Sequence, residues 1–314
     1  VNLTSPMGET ELCFPQLLNA SCWKPKRPLS EAVFINSVLS FISLLTASLN
    51  LLVIISISHF KQLHTPTNLL LLSLAVSDFF VGLCKHLLMS FQIVLTNGCW
   101  FFGDPMCVLY SSLDYTITSA SVGTMVLISV DRYVAICDPL HYSTKVTVRR
   151  VSVCICLCWF CSFLYNSLIL RDNLIQLGRF NSCYGECVVV IDYFMGIVDT
   201  ILTFVGPVTV IIIAVIFQLQ QTVRAKRSEM KAAKTLGVVV AFLTCLCPYY
   251  CSSLADQNSL FSVMSVALEI WLFYLNSCLN PVIYAFCYPW FLKSVRLIVT
   301  LKIFQPHSCD ACIL

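Results

Sequence analysis

The sequence predicts an all-α membrane protein, a seven-transmembrane helix bundle followed by a short amphipathic C-terminal helix. Three observations lead there. The 314 residues are 58% hydrophobic and only 11% charged, with a mean hydropathy of +0.84, more apolar surface than a soluble domain of this size can cover with polar groups. Apolar runs of about 20 residues, the helical length that crosses a ~30 Å hydrocarbon core, recur seven times. The polar breaks between them are short, so the whole chain reads as one bundle.

Residues 1–31 form a polar segment carrying two glycosylation acceptors, at Asn2-Leu3-Thr4 and Asn19-Ala20-Ser21. Span 1 follows over 32–58 with Asn50, and no cleavable signal precedes it, so it is expected to direct insertion. Span 2, residues 67–95, opens after His64-Thr65-Pro66 and contains Leu74-Ala75-Val76-Ser77-Asp78 and Lys85. Span 3, residues 104–137, carries Asp114 near its start and Asp131-Arg132-Tyr133 at its end, before Asp138-Pro139. Span 4 covers 150–170 with Trp159, and span 5 covers 192–219 with Asp199 and Pro207. Span 6, residues 235–255, comes after Arg224-Ala225-Lys226-Arg227 and contains Pro248; span 7, residues 261–287, ends on Asn280-Pro281-Val282-Ile283-Tyr284. The seven spans together make one membrane domain of residues 32–287, with a tail over 288–314. In that tail Trp290, Phe291, Leu297 and Ile298 alternate with Lys293, Arg296 and Lys302, a pattern suited to an interfacial helix against lipid. Cys309 and Cys312 are then expected acylation sites.

Basic residues are retained in the cytoplasm. With the amino terminus outside, 13 of the 19 Lys and Arg lie on the inner side, which predicts a multi-pass plasma-membrane protein of that orientation. The same topology divides the 19 cysteines. Six lie outside, Cys13, Cys22, Cys99, Cys107, Cys183 and Cys187, and they allow 15 pairings among which spacing does not choose. The others fall in spans or on the reducing side, where small apolar packing is the ordinary role.

The acids inside the spans carry the chemistry, because an ionised carboxylate in hydrocarbon needs a partner or a watery cavity. Asp114 lies seven residues below Cys107, about 10 Å along a helix, and so within reach of the outer face. Asp199, eight residues before Pro207, lies in the outer part of span 5. Two such acids facing one cavity ask for two cations; a single amine leaves one carboxylate unpaired, whereas a flexible diamine of about five carbons joins both. Glu186, Asp192, Asp256 and Glu269 near the outer mouth are expected to concentrate cations there. Lys85, two helical turns after Asp78, either serves Asp114 as an internal counter-ion or snorkels outward with His86, and the reading favours snorkelling. Arg132 is 18 residues beyond Asp114, roughly 27 Å, at the cytoplasmic mouth, where Asp131 neutralises it. That pair is a candidate switch.

Taken in order, Asn50, the Leu74–Asp78 run, Asp131-Arg132-Tyr133, Trp159, Pro207, Pro248 and Asn280-Pro281-Val282-Ile283-Tyr284 resemble a rhodopsin-like G-protein-coupled receptor over nearly the whole chain. Lys231-Ala232-Ala233-Lys234-Thr235-Leu236-Gly237, the Cys183 and Cys187 pair and Tyr288-Pro289-Trp290-Phe291 are similar to the trace amine-associated receptors within that class. The resemblance implies a disulfide from Cys107 to Cys187 and another from Cys22 to Cys183, with Cys13 and Cys99 unassigned. It implies an amine ligand at Asp114 with Tyr274 placed to hydrogen-bond that acid, and Trp271, Tyr274, Tyr249 and Tyr250 suit an aromatic wall worth ~0.5–2 kcal/mol per cation–π contact. It associates an acid at the position of Asp199 with diamines, and it makes Asp78, Ser121, Asn276 and Asn280 a sodium and water site, the sole cofactor implied. Arg132, Asp131, Tyr133, Asn280, Pro281 and Tyr284 become the coupling machinery for a heterotrimeric G protein of the stimulatory, olfactory class. Ligand, G protein and lipid are the partners expected, with no nucleic acid.

Three departures weigh against efficient signalling. Leu246 stands where the family has a tryptophan, Val215 replaces a tyrosine eight residues after the span 5 proline, and span 6 is one residue short between Leu236 and Phe242. A monoamine-binding or weakly coupled receptor is therefore the alternative. An intramembrane aspartyl enzyme needs Asp114 and Asp199 in contact, and Asp199 lacks a Gly-x-Gly-Asp setting. A cation transporter ordinarily shows internal repeats, and the halves of this chain do not resemble each other.

Overall fold

The computed structural model describes residues 10–17, 19–25, 29–86, 99–224, 275–285, 288–305, 308–310 and 313. Among them are five helices long and apolar enough to cross a membrane. Span 1 is Leu29–His59, span 3 Gly103–Cys137 and span 4 Val148–Ile169. Span 2 is an α-helix over Pro66–Phe80 that continues as a π-helix over Val81–His86. Span 5 is interrupted in the same way, Tyr193–Thr200 leading through the π-helix Ile201–Val205 into Gly206–Arg224. Span 7 contributes the helix Leu275–Ala285. Residues 87–95, the expected span 6 at 235–255 and residues 261–274 lie outside the described residues.

The helix limits have local causes. Thr65 caps span 2, its hydroxyl accepting from the Asn68 N–H at 3.3 Å with Pro66 in the first turn, an arrangement that uses up an orphan donor where proline has none to lose. Thr147 caps span 4 through the Arg150 N–H, and the Asp192 carboxylate caps span 5 through the Phe194 N–H at 3.1 Å. The π-segment of span 5 follows from Pro207, which has no N–H to give the Thr203 carbonyl. The turn widens, so that the Gly206 N–H reaches back five residues to the Ile201 carbonyl, while the Thr203 hydroxyl takes the Asp199 carbonyl at 2.6 Å. In span 2 the Ser43 hydroxyl donates to the Gly82 carbonyl at 2.6 Å. A Cβ at Gly82 would stand 3.0 Å from the Ala47 nitrogen, so glycine lets span 1 approach there.

Span 3 is the central post, packed by spans 2, 4 and 5, with span 1 against span 2. Its close approach to span 4 depends on Gly123, where a Cβ would fall 2.4 Å from the Cys158 sulfur. Polar side chains tie the posts together, as bilayer interiors favour. The Trp159 indole N–H donates to Ser73 at 3.1 Å, Ser73 meets Thr124 at 3.2 Å, and Asn166 donates to Ser119 at 3.1 Å. The apolar core lies towards the end bearing Arg132, around Ile57, Phe60, Leu63, Met125, Ile128 and Tyr284.

The tail helix, Pro289–Val299, lies at 96° to span 7 and is amphipathic as expected. Its buried face differs from the expectation. Trp290 and Phe291 are 5% and 3% exposed and join the core rather than lipid. Leu292, Val299, Leu301 and Phe304 are the large apolar side chains left outside. Beyond it the tail returns to the start of the bundle, with Ser308 3.0 Å from the His59 ring and the Ile313 N–H donating to Gln62. Cys309 is half-buried, and Cys312 lies outside the described residues.

The opposite, amino-terminal face is closed by a small covalent knot. Strands β1, Thr10–Leu12, and β2, Trp23–Pro25, pair antiparallel. Between them the Cys22 N–H donates to the Tyr184 carbonyl at 2.9 Å and the Ala20 carbonyl accepts from the Tyr184 N–H at 2.7 Å, which joins the hairpin to the loop after span 4. Disulfides join Cys22 to Cys183 and Cys107 to Cys187, and Cys13 and Cys99 pair with each other. Gly185 makes the knot possible: its φ is +101° and a Cβ would meet the Cys13 Cβ at 2.9 Å. Each bridge closes a loop of 80 residues or more, a class of cross-link that typically stabilises by about 2–4 kcal/mol.

Two outcomes test this architecture. Peptide mapping without reduction should recover Cys13 with Cys99, and finding Cys13 with Cys22 would refute the knot. Gly123→Val should separate spans 3 and 4 and cost about 1–3 kcal/mol, the usual range for overpacking, read as a loss of surface expression that Gly196→Ala does not share, because nothing lies within 4 Å of a Cβ at Gly196.

Candidate functional site

Asp114 is half-buried on span 3 and Asp199 half-buried on span 5, both towards the amino-terminal face. The Asp199 carboxylate accepts a hydrogen bond from the Tyr165 hydroxyl of span 4 at 3.1 Å. Tyr249, Tyr250, Trp271 and Tyr274, the expected aromatic wall, lie outside the described residues, as do Leu246 and the shortened stretch of span 6. So does the Lys85 side chain, and the premise for placing it on the Asp78 face is corrected. That premise needs α-helical spacing, which the π-segment Val81–His86 interrupts.

The cap over this end is held by two asparagines. Asn181 donates to Asp104 at 2.8 Å and accepts from the Val188 N–H at 3.0 Å, while Asn173 donates to the Val190 carbonyl at 2.8 Å. Together with the Cys107–Cys187 bridge they fix the segment Cys187–Val190. Two of the four mouth acids have local structural duties. Glu186 accepts from the Ser182 hydroxyl and N–H at 2.6 and 2.8 Å, bonds that hold its carboxyl below the ordinary range, and Asp192 is the span 5 cap. Asp256 and Glu269 lie outside the described residues, and so does Asn2, whereas Asn19 is exposed in the turn of the knot.

Half-way down, Asp78 is fully buried and accepts from Asn280 at 2.7 Å. Asn50 donates to the Ser277 carbonyl at 3.0 Å, joining span 1 to span 7. Asn276 and Pro281 are buried beside them, and Ser121 is half-buried on span 3 without a hydrogen bond to Asp78 among the described residues. Here Asp78 Oδ1, Asn276 Oδ1 and Asn50 Oδ1 are buried with no hydrogen-bond partner among the described residues. Buried acceptors of this kind are ordinarily met by water or an ion. Carboxylate and amide oxygens are ligands of the kind that a hard monovalent cation or an ordered water takes.

At the other end Asp131 is buried and Arg132 is bonded to it, Nε to Oδ2 at 3.0 Å. The carboxylate also accepts from Thr67 at 2.9 Å and from the Tyr142 hydroxyl at 2.8 Å, and Arg132 itself donates to Thr67. Burial raises the Tyr142 phenol above its ordinary value, so it stays a donor. Tyr133 packs edge-on against Phe217 of span 5 with ring centres 6.1 Å apart. Tyr284 is buried, and its hydroxyl has no hydrogen-bond partner among the described residues. Below span 3, Asp138 bonds Lys145 and His141, each at 2.8 Å, which lowers its carboxyl to about 2.

Thr67, Tyr142, Tyr165, Asn173 and Asn181 were not singled out from the sequence. No local pattern marks them, because each meets its acid or loop from a different element. The His64-Thr65-Pro66 helix start was the nearest signal, and it sets Thr67 in the first turn of span 2.

The family model described as 7 transmembrane receptor (rhodopsin family) matches residues 49–284. Trace amine-associated receptor 13c of Danio rerio is 36% identical, over 96% of this chain and 95% of its own length. Trace amine-associated receptors 8a of Rattus norvegicus and 8b of Mus musculus are each 37% identical, over 95% of both chains. A multi-pass bundle with these motifs and this similarity from end to end is a receptor rather than an enzyme. The chain belongs to the rhodopsin family of seven-transmembrane receptors and, within it, to the trace amine-associated receptors.

Proposed function

We propose that this receptor sits in the plasma membrane with its amino terminus outside, binds a small diamine between Asp114 and Asp199, and signals through a stimulatory heterotrimeric G protein to cyclic AMP. The observation that carries the reading is the pair of carboxylates on two adjoining spans, 3 and 5, beneath one disulfide-bonded cap. Each half-buried carboxylate offers an anchor to one ammonium group, so a dication suits the pair better than a single amine. The names of the relatives support an amine as the ligand class. Orientation is supported by the basic residues gathered at the Arg132 end and by the exposure of Asn19 at the other.

In the coupling step the Asp131 and Thr67 oxygens that hold Arg132, with the Tyr142 hydroxyl donating to Asp131, represent the closed arrangement. Opening frees the guanidinium for backbone carbonyls of the G protein. A sodium ion held by Asp78 and Asn276, with Asn280 and Ser121 beside them, would supply positive charge to the buried carboxylate. A second reading, weak coupling or monoamine binding, is favoured by Val215. It is buried among core residues and brings no hydroxyl to the seam of spans 3 and 5.

Cyclic AMP responses to matched monoamines and diamines test the proposal. Asp199→Ala should weaken a diamine by roughly 2–5 kcal/mol, the scale for truncating one partner of a buried charge pair, and should improve a hydrophobic monoamine. Asp114→Ala should abolish the response to every amine. Equal potency of monoamine and diamine on the unaltered receptor, indifferent to Asp199→Ala, would reject the two-anchor reading. Separately, amine affinity that varies with sodium concentration should cease to vary in Asp78→Asn, while persistence of the dependence would remove the ion from that site.

A further inference from the structure

We propose that Tyr165 aims Asp199 and sets the distance between the two acids, and so selects the chain length of the diamine. The inference rests on the two-anchor reading above. Among the described residues, the bond from the Tyr165 hydroxyl is the polar contact of the Asp199 carboxyl, and it engages Oδ1 at 3.1 Å. Oδ2 is left for a ligand ammonium group. The acid needs such a guide because it lies two residues before the π-segment Ile201–Val205, where the regular α-helical register with the rest of span 5 is broken.

Tyr165 is itself held to span 3. Its neighbour Asn166 is buried, donates back to the Ser162 carbonyl at 2.8 Å and across to Ser119 at 3.1 Å. Ser119 is on the same helix as Asp114, five residues further along. One continuous path therefore connects the two acids through span 4: Asp114 and Ser119 on one rigid helix, then Asn166 and Tyr165 on another, then Asp199. A phenol at the end of a braced helix fixes the second carboxylate against the first, as preorganised binding groups require.

Removing the hydroxyl alone tests this. In receptors normalised for surface expression, Tyr165→Phe should lower the potency of the best diamine by about tenfold to a hundredfold, the scale for a hydrogen bond to a charged group. It should flatten the preference across a homologous series of α,ω-diamines and leave a matched monoamine unchanged. On an Asp199→Asn background the same substitution should have no further effect. Tyr165→His, which keeps a ring N–H, should recover part of the length preference. An unchanged length preference in Tyr165→Phe, in a receptor whose diamine response does fall with Asp199→Ala, would overturn the assignment and leave the two anchors standing. Equal losses for monoamine and diamine would make Tyr165 a packing residue. If Asp199→Ala spares the diamine, the two-anchor reading fails and this inference fails with it.

Discussion

Removing a carboxylate from water costs several kcal/mol unless donors replace the water, and this bundle is organised around meeting that cost at successive depths. Asp199 is met by a phenol, Asp78 by an amide, and Asp131 by a guanidinium, a hydroxyl and a second phenol. In each case the donor comes from another part of the fold, apart from Arg132 beside its own acid. The acids therefore act as joints: span 4 is tied to span 5, span 7 to span 2, and the loop after span 3 to both span 3 and span 2. An arrangement held by such joints can be shifted by anything that competes for them, whether a ligand ammonium at one end or a partner's carbonyls at the other.

The two π-segments shape what those joints can reach. Each adds a residue to a turn and so rotates one half of a span against the other. In span 5 the rotation falls between Asp199 and Pro207, and in span 2 between Asp78 and the residues leading to the amino-terminal face. The halves towards Arg132 keep the core packing around Leu71 and Ile211, while the π-segment of span 2 packs on span 1. Irregular backbone of this kind is tolerated in a membrane where side chains satisfy the freed carbonyls, as Thr203 and Ser43 do here.

Much of this was legible beforehand. Spans 1, 3, 4 and 5 begin and end within a few residues of the apolar runs, because hydrocarbon thickness sets helix length and composition reports it directly. Asp78, Asp114, Asp131 and Asp199 stood out because charge is rare in such runs. Their partners did not, since Tyr165 and Tyr142 look like ordinary aromatic residues until tertiary packing brings them to an acid. The pairing of Cys13 with Cys99 was one of 15 combinations, and only the approach of the amino-terminal hairpin to Trp100 and Gly185 selects it. The pattern around Trp290 and Phe291 suits a lipid surface, but amphipathicity says which face is apolar and not whether protein or lipid covers it, and here protein does.

The amino-terminal knot has one more property. Cys13 and Cys22 bracket a turn of eight residues, and each is joined to a different part of the cap. A protease that cuts inside 14–21, an exposed turn of the sort usually nicked first, produces two ends and no loose fragment. The piece carrying Cys13 stays attached through Cys99, and the piece carrying Cys22 runs on into span 1. Cleavage there would leave one disulfide-linked molecule, heavier only by the single water of hydrolysis, until the disulfides were reduced, and the cap would remain seated on the bundle.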